Sequence, residues 1–435
     1  MNTRFTLNVF LNIEGKRHHV GRLAYIKNTG TIVFAYEKDF LAKGLNISPF
    51  KLPLETRAVE AARPEDRFDP LQGVHPVFAD SLPDKWGRKV MDYWFNENDI
   101  HEPTVLDRLA WIGRRGIGAL EYEPALYSEI NTVKAFNLRE LKAHSVGIIQ
   151  GHPSLVVKEL TEIGGSPGGA RPKYLVAVND QNDFIYGLDA MPDETYRPCI
   201  VKVPAEENDP APQIEFIYSE MARLAGINVP GTRLIDADKE YYFLIERFDR
   251  TGPLYAHKLH QHTLAGLIGI GFDRYRLQYE DALKLTFRLT GDQRNTVELY
   301  RRMVFNFLGH NCDDHSKNIS FLMDGNGKWS LSPAYDLIYY DIMKGQHSMT
   351  ILGKRSVPRR EDLLAIAKEY NVSNSKASAI IDQVVAGLDC WPELAQAGGL
   401  NDIEIQRIDG SLKRNLKHLD PGCSAPKPIS ASPRM

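Results

Sequence analysis

Three oxygen-bearing side chains have the types and the spacing that phosphoryl transfer requires. Asp313 and Asn318 lie five positions apart in the run DDHSKN, and Asp336 follows an apolar stretch and a turn. One carboxylate can orient a hydroxyl group, while an amide oxygen and a second carboxylate can hold Mg²⁺ on ATP. The pattern therefore predicts a phosphoryl-transfer site in which Asp313 accepts the hydroxyl proton and Asn318 and Asp336 bind the metal ion.

These residues, taken alone, are also compatible with different kinds of site. Two Asp residues at this separation fit a Ca²⁺ site, the acid pair of a hydrolase, or turns, where Asp and Asn are frequent. In the same run, Lys317 is predicted to contact the transferring phosphoryl group, and His315 is either a hydrogen-bonding scaffold or an acid–base group. Asp314 is a second acid that could ligate metal or raise the pKa of its neighbour.

A glycine-rich segment lies far upstream of this run. Ser166, Gly168, Gly169 and Ala170 belong to the run GGSPGGARPK, which is followed by the strand-like run YLVAV. Glycine permits positive φ and a close approach of the backbone to a ligand, and successive N–H groups can form a nest for anions. The segment is predicted to cover the phosphates of ATP; the alternative is a surface β-turn.

A lysine and a glutamate follow in the order that an ATP site needs. Lys202 lies in the short apolar run IVKV, which predicts a strand, and Glu215 lies near the start of a predicted amphipathic helix capped by Gly226. Lys202 is predicted to neutralise phosphate charge while Glu215 pairs with it. The alternatives are a lysine on an edge strand and a solvated acid in the first helical turn.

A further strand, YYFLIE, leads into a predicted hinge. Glu246, Phe248 and Asp249 are assigned to the nucleotide site there, with Phe248 and the backbone after Glu246 meeting the adenine. His315 is assigned to the same nucleotide site. Beyond the hinge, an apolar helical face predicts the helix that leads into Asp313. The parts follow one another in the order found in protein kinases.

Length and composition limit the class of protein. The 435 residues are enough for two or three cores, and a net charge of -3 gives no basic footprint for direct DNA binding. The four cysteines lack metal-ligand spacing, and the chain starts without a signal-peptide pattern. Apolar runs stay below the roughly 18 residues of a membrane span. We expect a cytoplasmic protein without a membrane partner.

The distribution of patterns predicts an α+β fold in three parts. Alternating strands between residues 6 and 36 and mainly helical character from about 84 to 125 indicate a mixed α/β domain. The predicted parts are an N-terminal domain at 1–145, a β-rich lobe with the glycine-rich segment at 146–255, a mainly helical lobe with the catalytic and metal-binding loops at 256–420, and a disordered tail at 421–435.

Several runs together resemble the HipA family of bacterial serine/threonine kinase toxins. They are CDDHSKN, SPGGARPK, VKVP, ERFDR and YDL, with LPDKWGR and IGRRGIGA in the first domain. The resemblance extends over roughly residues 5–415. It implies a two-lobed, protein-kinase-like fold and a non-specific serine/threonine protein kinase that depends on ATP and Mg²⁺.

The resemblance also implies a biological role. A kinase of this family halts growth by phosphorylating a cellular protein, characteristically an aminoacyl-tRNA synthetase. Its partner would be a HipB-like helix-turn-helix antitoxin, through which it would meet operator DNA and co-repress its operon. The alternatives are a catalytically weak kinase-like scaffold that acts as a co-repressor, and a kinase for small molecules or lipids.

Regulation is expected at the glycine-rich loop. The resemblance maps the autophosphorylated serine of the family to Ser166, and a phosphate of about -1.5 to -2 charges there would repel ATP. Pro167 removes one backbone donor from this loop, which affects its switching. Cys312 precedes Asp313, where eukaryotic kinases carry an arginine that reads a phosphorylated activation loop. Control through Ser166 is therefore expected ahead of control through a distal phosphosite.

Overall fold

The computed structural model divides the chain into two compact units. The described residues are 6–63, 71–126, 134–151, 171–186, 190–237, 239–271, 277–341 and 344–420. The first unit combines Met1–Asp209, Ile235–Gly271 and Ser320–Trp329, and the second combines Pro210–Leu234, Phe272–Ile319 and Ser330–Met435. Four predicted site residues and the predicted tail at 421–435 lie outside the described residues: Ser166, Gly168, Gly169 and Ala170.

An antiparallel sheet opens the first unit. Its strands are β1 (Thr6–Ile13), β2 (Lys16–Ile26), β3 (Thr31–Tyr36), β4 (Val59–Glu60) and β5 (Leu120–Glu123), in the order β4-β3-β2-β1-β5. Every second residue of β1 from Leu7 to Ile13 is buried, because successive side chains of a strand point to opposite faces. The alternation predicted for this region is confirmed.

Five helices accompany this part of the described chain. They are α1 (Lys38–Leu41), α2 (Pro76–Ala79), α3 (Lys85–Glu97), α4 (Val105–Ile112) and α5 (Leu138–Gln150). A capping box between Thr104 and Asp107 starts α4, and a second one between Asn137 and Glu140 starts α5. The prediction of helical character up to residue 125 is wrong for β5, because that segment pairs with β1.

A second sheet lies mainly in the first unit. Its strands are β6 (Lys134–Phe136), β7 (Lys173–Val178), β8 (Phe184–Tyr186), β9 (Arg197–Lys202), β10 (Thr232–Ala237) and β11 (Glu240–Glu246), in the order β10-β11-β9-β7-β8-β6. Trp86 and Val90 of α3 and Leu138 and Leu141 of α5 belong to the same buried cluster as its apolar side chains. The strands predicted at YLVAV, IVKV and YYFLIE are confirmed.

The remaining elements are short strands and helices. The strands are β12 (Arg250–Thr251), β13 (His257–Lys258), β14 (His260–Thr263), β15 (Ser320–Met323) and β16 (Trp329–Leu331). The helices are α6 (Ala211–Leu224), α7 (Leu264–Ile268), α8 (Tyr279–Thr290), α9 (Gln293–Leu308), α10 (Arg360–Glu369), α11 (Asn374–Asp389), α12 (Trp391–Ala397) and α13 (Asp402–Leu419). In the part of the chain that the structure describes, none of the helices has the length and apolar character needed to cross a membrane.

The two units do not test the predicted division into three domains. The border predicted at residue 145 falls inside α5. The helix that was predicted to end at Gly226 is α6, and Gly226 follows it with φ of +75°. Glycine takes this left-handed conformation at low cost, which makes it a common helix terminator. The three-domain division stays a prediction.

A buried ion pair links three strands of the first unit. Lys258 of β13 approaches the carboxylate of Glu121 in β5 to 2.9 Å, and both side chains are almost fully buried. Arg17 of β2 contacts the other carboxylate oxygen at 2.8 Å. Burial alone would raise the pKa of Glu121, but the charge of Lys258 and the hydrogen bonds from Arg17 and Asn12 lower it below its usual value. The carboxylate therefore stays ionised.

We predict that Lys258→Met lowers the free energy of unfolding by about 3 kcal/mol, because it leaves a buried carboxylate with reduced charge compensation. Chemical denaturation of the purified chain measures this change. The double variant Glu121→Gln/Lys258→Met should recover part of the loss, since no buried charge then lacks its partner. A single variant as stable as the wild type would contradict the prediction.

Candidate active site

The loop that carries Asp313 begins at a helix end whose carbonyl groups are bound by side chains. Tyr218 of α6 donates a hydrogen bond from its hydroxyl to the carbonyl oxygen of Gly309 at 2.6 Å. Asn415 of α13 donates to the carbonyl oxygens of the last two residues of α9 at 3.3 and 3.1 Å. The last carbonyls of a helix have no intrahelical partner. These two buried side chains therefore fix the direction in which the chain leaves α9.

Asp313 and Asn318 are joined directly within the loop. The side-chain amide of Asn318 donates to the carbonyl oxygen of Asp313 at 2.8 Å, and its backbone N–H donates to that of His315 at 2.9 Å. The first bond uses the donor end of the amide, so its Oδ1 is the end that can ligate a cation. The carboxylate of Asp313 is 42% exposed. The structure thus brings a half-exposed acid and an oriented amide oxygen together.

Lys317 lies within the 3₁₀ turn Ser316–Asn318 that closes this loop, and His315 directly precedes that turn. The imidazole Nε2 of His315 is 3.8 Å from the carboxylate of Asp313, which is too long for a hydrogen bond. The carbonyl oxygen of Lys317 accepts a hydrogen bond from the hydroxyl of Tyr335 at 2.7 Å. This bond ties the loop to the segment that carries Asp336. The roles predicted for His315 and Lys317 stay predictions.

Asp336 has a backbone conformation that is uncommon for residues other than glycine. Its φ is +53°, in the left-handed region, where Asp is among the better tolerated side chains. The segment before it is held by the buried guanidinium of Arg302, which donates to the carbonyl oxygen of Ser332 at 2.6 Å. Left-handed residues of this kind concentrate at functional sites. The conformation agrees with a role for Asp336 in the site.

Asn318 and Asp336 offer the oxygen ligands that Mg²⁺ prefers. Among the described residues, no three His, Cys, Asp or Glu side chains are grouped closely enough to hold a metal ion by themselves. Mg²⁺ usually takes one or two carboxylates and keeps water and phosphate oxygens as its other ligands. An amide oxygen and a carboxylate therefore fit this ion. Their assignment as metal ligands stays a prediction.

Asp314 is turned away from solvent and bound by protein donors. Its side chain is fully buried and accepts hydrogen bonds from Tyr279, His347 and the backbone N–H groups of Ser348 and Met349. A carboxylate has about four acceptor sites, and four donors occupy them here. The interpretation of Asp314 as a metal ligand is therefore wrong.

Sequence reasoning missed these partners of Asp314. Tyr279 and His347 lie 35 and 33 residues from it in the chain, so no local spacing connects them. Asn306, which donates to the hydroxyl of Tyr279 at 2.9 Å, offered one signal. It is a polar residue within the predicted apolar stretch of α9, and a buried polar group needs a partner.

Lys202 lies inside the second sheet and not at its edge. Strand β9 runs between β7 and β11, and Lys202 is paired with Lys173 on one side and Phe243 on the other. Its side chain is buried, with Nζ 5.8 Å from the ring centroid of Phe243. The alternative of an edge-strand lysine is therefore wrong. A buried lysine in a central strand needs an anionic or polar partner.

Glu215 is likewise buried. It is the fifth residue of α6 and is only 4% exposed, so the alternative of a solvated acid in the first turn is wrong. Lys202 belongs to the first unit and Glu215 to the second. Their ion pair and the contact of Lys202 with phosphate stay predictions.

The predicted hinge residues have different surroundings. Glu246 ends β11 and is paired with Cys199, and its carboxylate lies 3.7 Å from Arg197. Phe248 is partly buried. Asp249 is almost fully buried and accepts hydrogen bonds from Arg247 and from the backbone N–H of Gly118. The nucleotide contacts assigned to Glu246, Phe248 and Asp249 stay predictions, but Asp249 also has a structural role that its spacing did not predict.

The charge of Asp249 is maintained by its neighbours. Burial alone would raise the pKa of this carboxyl, but Arg247, Arg250 and the N–H of Gly118 outweigh burial and hold the pKa well below its usual value. A depressed folded-state pKa stabilises the fold above the unfolded-state pKa of about 3.9. That contribution is lost as the pH falls below this value.

We predict that Asp249→Asn destabilises the protein more at pH 5 than at pH 3. The difference in unfolding free energy between wild type and variant should narrow by about 1 kcal/mol over this range, because only the wild type loses the ionised-carboxylate contribution. Urea denaturation at both pH values measures it. A difference that is constant or widens on acidification would refute the structural role of the ionised form.

Two family descriptions match this chain in the order of its parts. The HipA N-terminal domain matches residues 8–123, and the HipA-like C-terminal domain matches residues 165–391, which is more than half of the chain. The chain is thus a HipA-like α+β protein of the kinase type, and the Asp313–Asn318 loop lies in its matched C-terminal domain. The chain belongs to the HipA family.

Individual relatives agree with this assignment. A protein of Sinorhizobium fredii named as a kinase is 31% identical over 189 residues, which are 40% of this chain and 44% of that protein. This chain therefore matches less than half the length of that relative. The serine/threonine-protein kinase toxin HipA of Shewanella oneidensis is 23% identical over 373 residues, covering 79% of this chain and 77% of that protein.

A solved structure confirms the predicted fold class. That solved structure is a complex of HipA, HipB and operator DNA from Shewanella oneidensis. Its matched chain is 18% identical to this one. The match covers 95% of this chain and 97% of that chain with a TM-score of 0.64. The HipA-like α+β fold is therefore correct as predicted.

Proposed function

We propose that this chain is a serine/threonine protein kinase that acts as the toxin of a HipBA-like module. The observation that carries the proposal is the hydrogen bond from the amide of Asn318 to the carbonyl oxygen of Asp313. It fixes the backbone of Asp313, whose carboxylate is half-exposed, to the side-chain amide of Asn318 in a loop whose two ends are anchored. Membership of the HipA family and the relatives named as kinases support the same activity.

The proposed chemistry assigns one task to each side chain. The carboxylate of Asp313 orients a substrate serine or threonine hydroxyl and accepts its proton as that oxygen bonds to the γ-phosphorus and ADP departs. Lys317 adds positive charge where negative charge develops on the phosphoryl oxygens. Asn318 and Asp336 would hold Mg²⁺, which would neutralise phosphate charge. Lys202, supported by Glu215, binds the phosphates.

The nucleotide itself would be bound by the residues of the hinge and of the glycine-rich loop. Glu246 and Phe248 would contact the adenine, with Asp249 and His315 completing the site. Ser166, Gly168, Gly169 and Ala170 would cover the phosphates with backbone N–H groups. Phosphorylation of Ser166 would place like charge where ATP phosphates bind and would switch the kinase off.

We also propose which protein the kinase phosphorylates and which partners it binds. A protein substrate of the aminoacyl-tRNA synthetase class would be phosphorylated, which would stop translation and growth. A HipB-like antitoxin would neutralise the kinase and carry it to operator DNA. The related structure from Shewanella oneidensis contains HipA, HipB and operator DNA, which supports this partnership.

We predict that Asp313→Asn reduces phosphoryl transfer by about 100-fold or more, because an amide cannot accept the hydroxyl proton. Transfer of labelled phosphate from Mg²⁺-ATP to the chain itself and to a lysate measures the loss. Induction of the wild type should arrest growth, and induction of the variant should not.

Asp382→Asn is a matched control for this experiment. Asp382 is an exposed acid of the second unit that pairs with Arg360 and lies outside the candidate site. This variant should transfer phosphate as the wild type does. If the wild type transfers no phosphate to any protein, the kinase proposal fails and the co-repressor scaffold takes its place; phosphate found only on metabolites or lipids would redirect the substrate class.

We predict that the intact mass of the chain, purified after expression with ATP available, includes one phosphate that is absent from Ser166→Ala. The serine hydroxyl is the only atom removed by this substitution that can accept a phosphoryl group. Peptide mapping would locate the phosphate. A phosphate that persists in Ser166→Ala would contradict self-inactivation at this residue while leaving kinase activity supported.

A further inference from the structure

One buried hydrogen-bond network anchors the residues on both sides of Asp313. The consequence for catalysis that we draw from it rests on the proposed kinase function. Asn311 lies two positions before Asp313, and Asp314 follows it directly. Both flanking side chains are about 2% exposed, whereas the carboxylate of Asp313 is 42% exposed. The acid itself therefore faces solvent between two fixed points.

The first branch of the network runs through two helices. The amide of Asn311 donates to the Oδ1 of Asn306 at 3.0 Å, and the amide of Asn306 donates to the hydroxyl of Tyr279 at 2.9 Å. Tyr279 donates in turn to the carboxylate of Asp314 at 3.0 Å. All donors point the same way, so each bond polarises the next, and the chain ends on a carboxylate.

Burial keeps this branch in one protonation state. Burial and the nearby charge of Asp314 raise the pKa of Tyr279 well above its ordinary value. The hydroxyl therefore keeps its proton near neutral pH and donates a hydrogen bond to Asp314.

The second branch joins the loop to a segment more than thirty residues downstream. His347 contacts the carboxylate of Asp314 through Nδ1 at 3.1 Å, and the N–H groups of Ser348 and Met349 donate to its other oxygen at 2.8 and 3.3 Å. Ser348 also donates twice to the carbonyl oxygen of Cys312 at 3.0 Å, from its backbone N–H and its hydroxyl. The residues before and after Asp313 are thus bound to the same three-residue segment.

His347 is itself held in place. Its ring stacks on Phe307 of α9 with the centroids 3.8 Å apart and the planes 14° from parallel. The imidazole is fully buried. The segment His347–Met349 is therefore fixed to α9, the helix that leads into the loop. Both branches of the network thus contact this helix.

A small cavity lies between the loop and α9. A cavity of about 20 Å³ is lined by Asp314, His315 and Asn318 on the loop and by Asn306 and Arg302 on α9. That volume accommodates about one water molecule. Packing between the loop and α9 is therefore incomplete at this point, and the hydrogen bonds to Asp314 add to the contacts that hold the loop.

We infer that Asp314 is a positioning residue that holds the catalytic carboxylate of Asp313 in its productive place by binding Tyr279 and the segment His347–Met349. Displacement of a catalytic group by about 1 Å can cost about 100-fold in rate, although the substrate still binds. The network acts on the placement of Asp313 and touches neither ATP nor the substrate hydroxyl. Its loss should thus lower kcat by a larger factor than it raises the KM for ATP, to which His315 and Asn318 of the same loop are proposed to contribute.

Two tyrosines allow a matched test. Tyr279→Phe removes the hydroxyl that donates to Asp314, and Tyr300→Phe removes a hydroxyl that donates to the carbonyl oxygen of Leu363 at 3.1 Å. Both tyrosines are fully buried in helices of the second unit. Asp314→Asn, which keeps the shape of the side chain, is the second test variant. The three variants are compared with the full-length wild type.

For Tyr279→Phe and Asp314→Asn we expect kcat for protein phosphorylation to fall tenfold or more, with the KM for ATP changing by a clearly smaller factor. Tyr300→Phe should keep kcat within twofold, although its melting temperature falls to a similar degree. If all three variants lost kcat equally, the network would contribute only to stability and the positioning role would be wrong. A wild-type kcat in folded Asp314→Asn would overturn the inference.

Hydrogen–deuterium exchange provides a readout that does not need kinase activity. Asp314→Asn should speed exchange in the peptides that contain residues 311–318 and 347–350, and Tyr300→Phe should not. If the wild type proves inactive but this pattern appears, the network stands and the proposed function fails. If exchange is unchanged in Asp314→Asn, the network does not hold the loop and the inference fails.

Discussion

The placement of the acid-bearing loop depends on how the carbonyl end of α9 is satisfied. Buried carbonyl groups without partners cost about 1–3 kcal/mol each, so the end of this helix must find donors inside the protein. Tyr218 and Asn415 supply them from helices that lie almost 200 residues apart in the sequence. The loop is thus built only when the first and last helices of the second unit are both in place. Directly after Asp313, the buried carboxylate of Asp314 also takes its hydrogen bonds from distant parts of the chain, one helix and one further segment.

Residue types and connectivity do not suffice to define a site, as a cluster in the first unit illustrates. Ser48 contacts Nε2 of His262 at 3.0 Å, and Nδ1 of His262 contacts Asp80 at 2.6 Å, which is the connectivity of a serine-hydrolase triad. Ser48 and His262 are completely buried, so no substrate can reach the hydroxyl. Asp80 also accepts from the backbone and the hydroxyl of Thr263 at the start of α7. These contacts connect distant parts of the first unit, whereas Asp313 is exposed and can meet a substrate.

The sequence predicted those elements whose signals are local. The apolar face of α9, the strand around Lys202 and the glycine after α6 are short-range patterns, and each has its predicted form. The strand β5 was missed because its pairing with β1 joins residues more than a hundred positions apart. In the candidate active site, the spacing of Asp313 and Asn318 predicted one loop that carries both residues, and the structure contains this loop. The roles of Asp314 and Asp249 were not visible, because their neighbours are brought to them by folding or depend on burial.

The interleaving of the two units affects how the protein is made. The first unit needs residues up to Trp329, and the second begins at Pro210 and extends to the end of the described chain. No contiguous fragment therefore contains one complete unit without part of the other. During synthesis, which proceeds from the N-terminus, the loop at Asp313 leaves the ribosome before His347 and Asn415, which fix its position. A growing chain consequently carries its acid-bearing loop without the side chains that fix its position until Asn415 has left the ribosome.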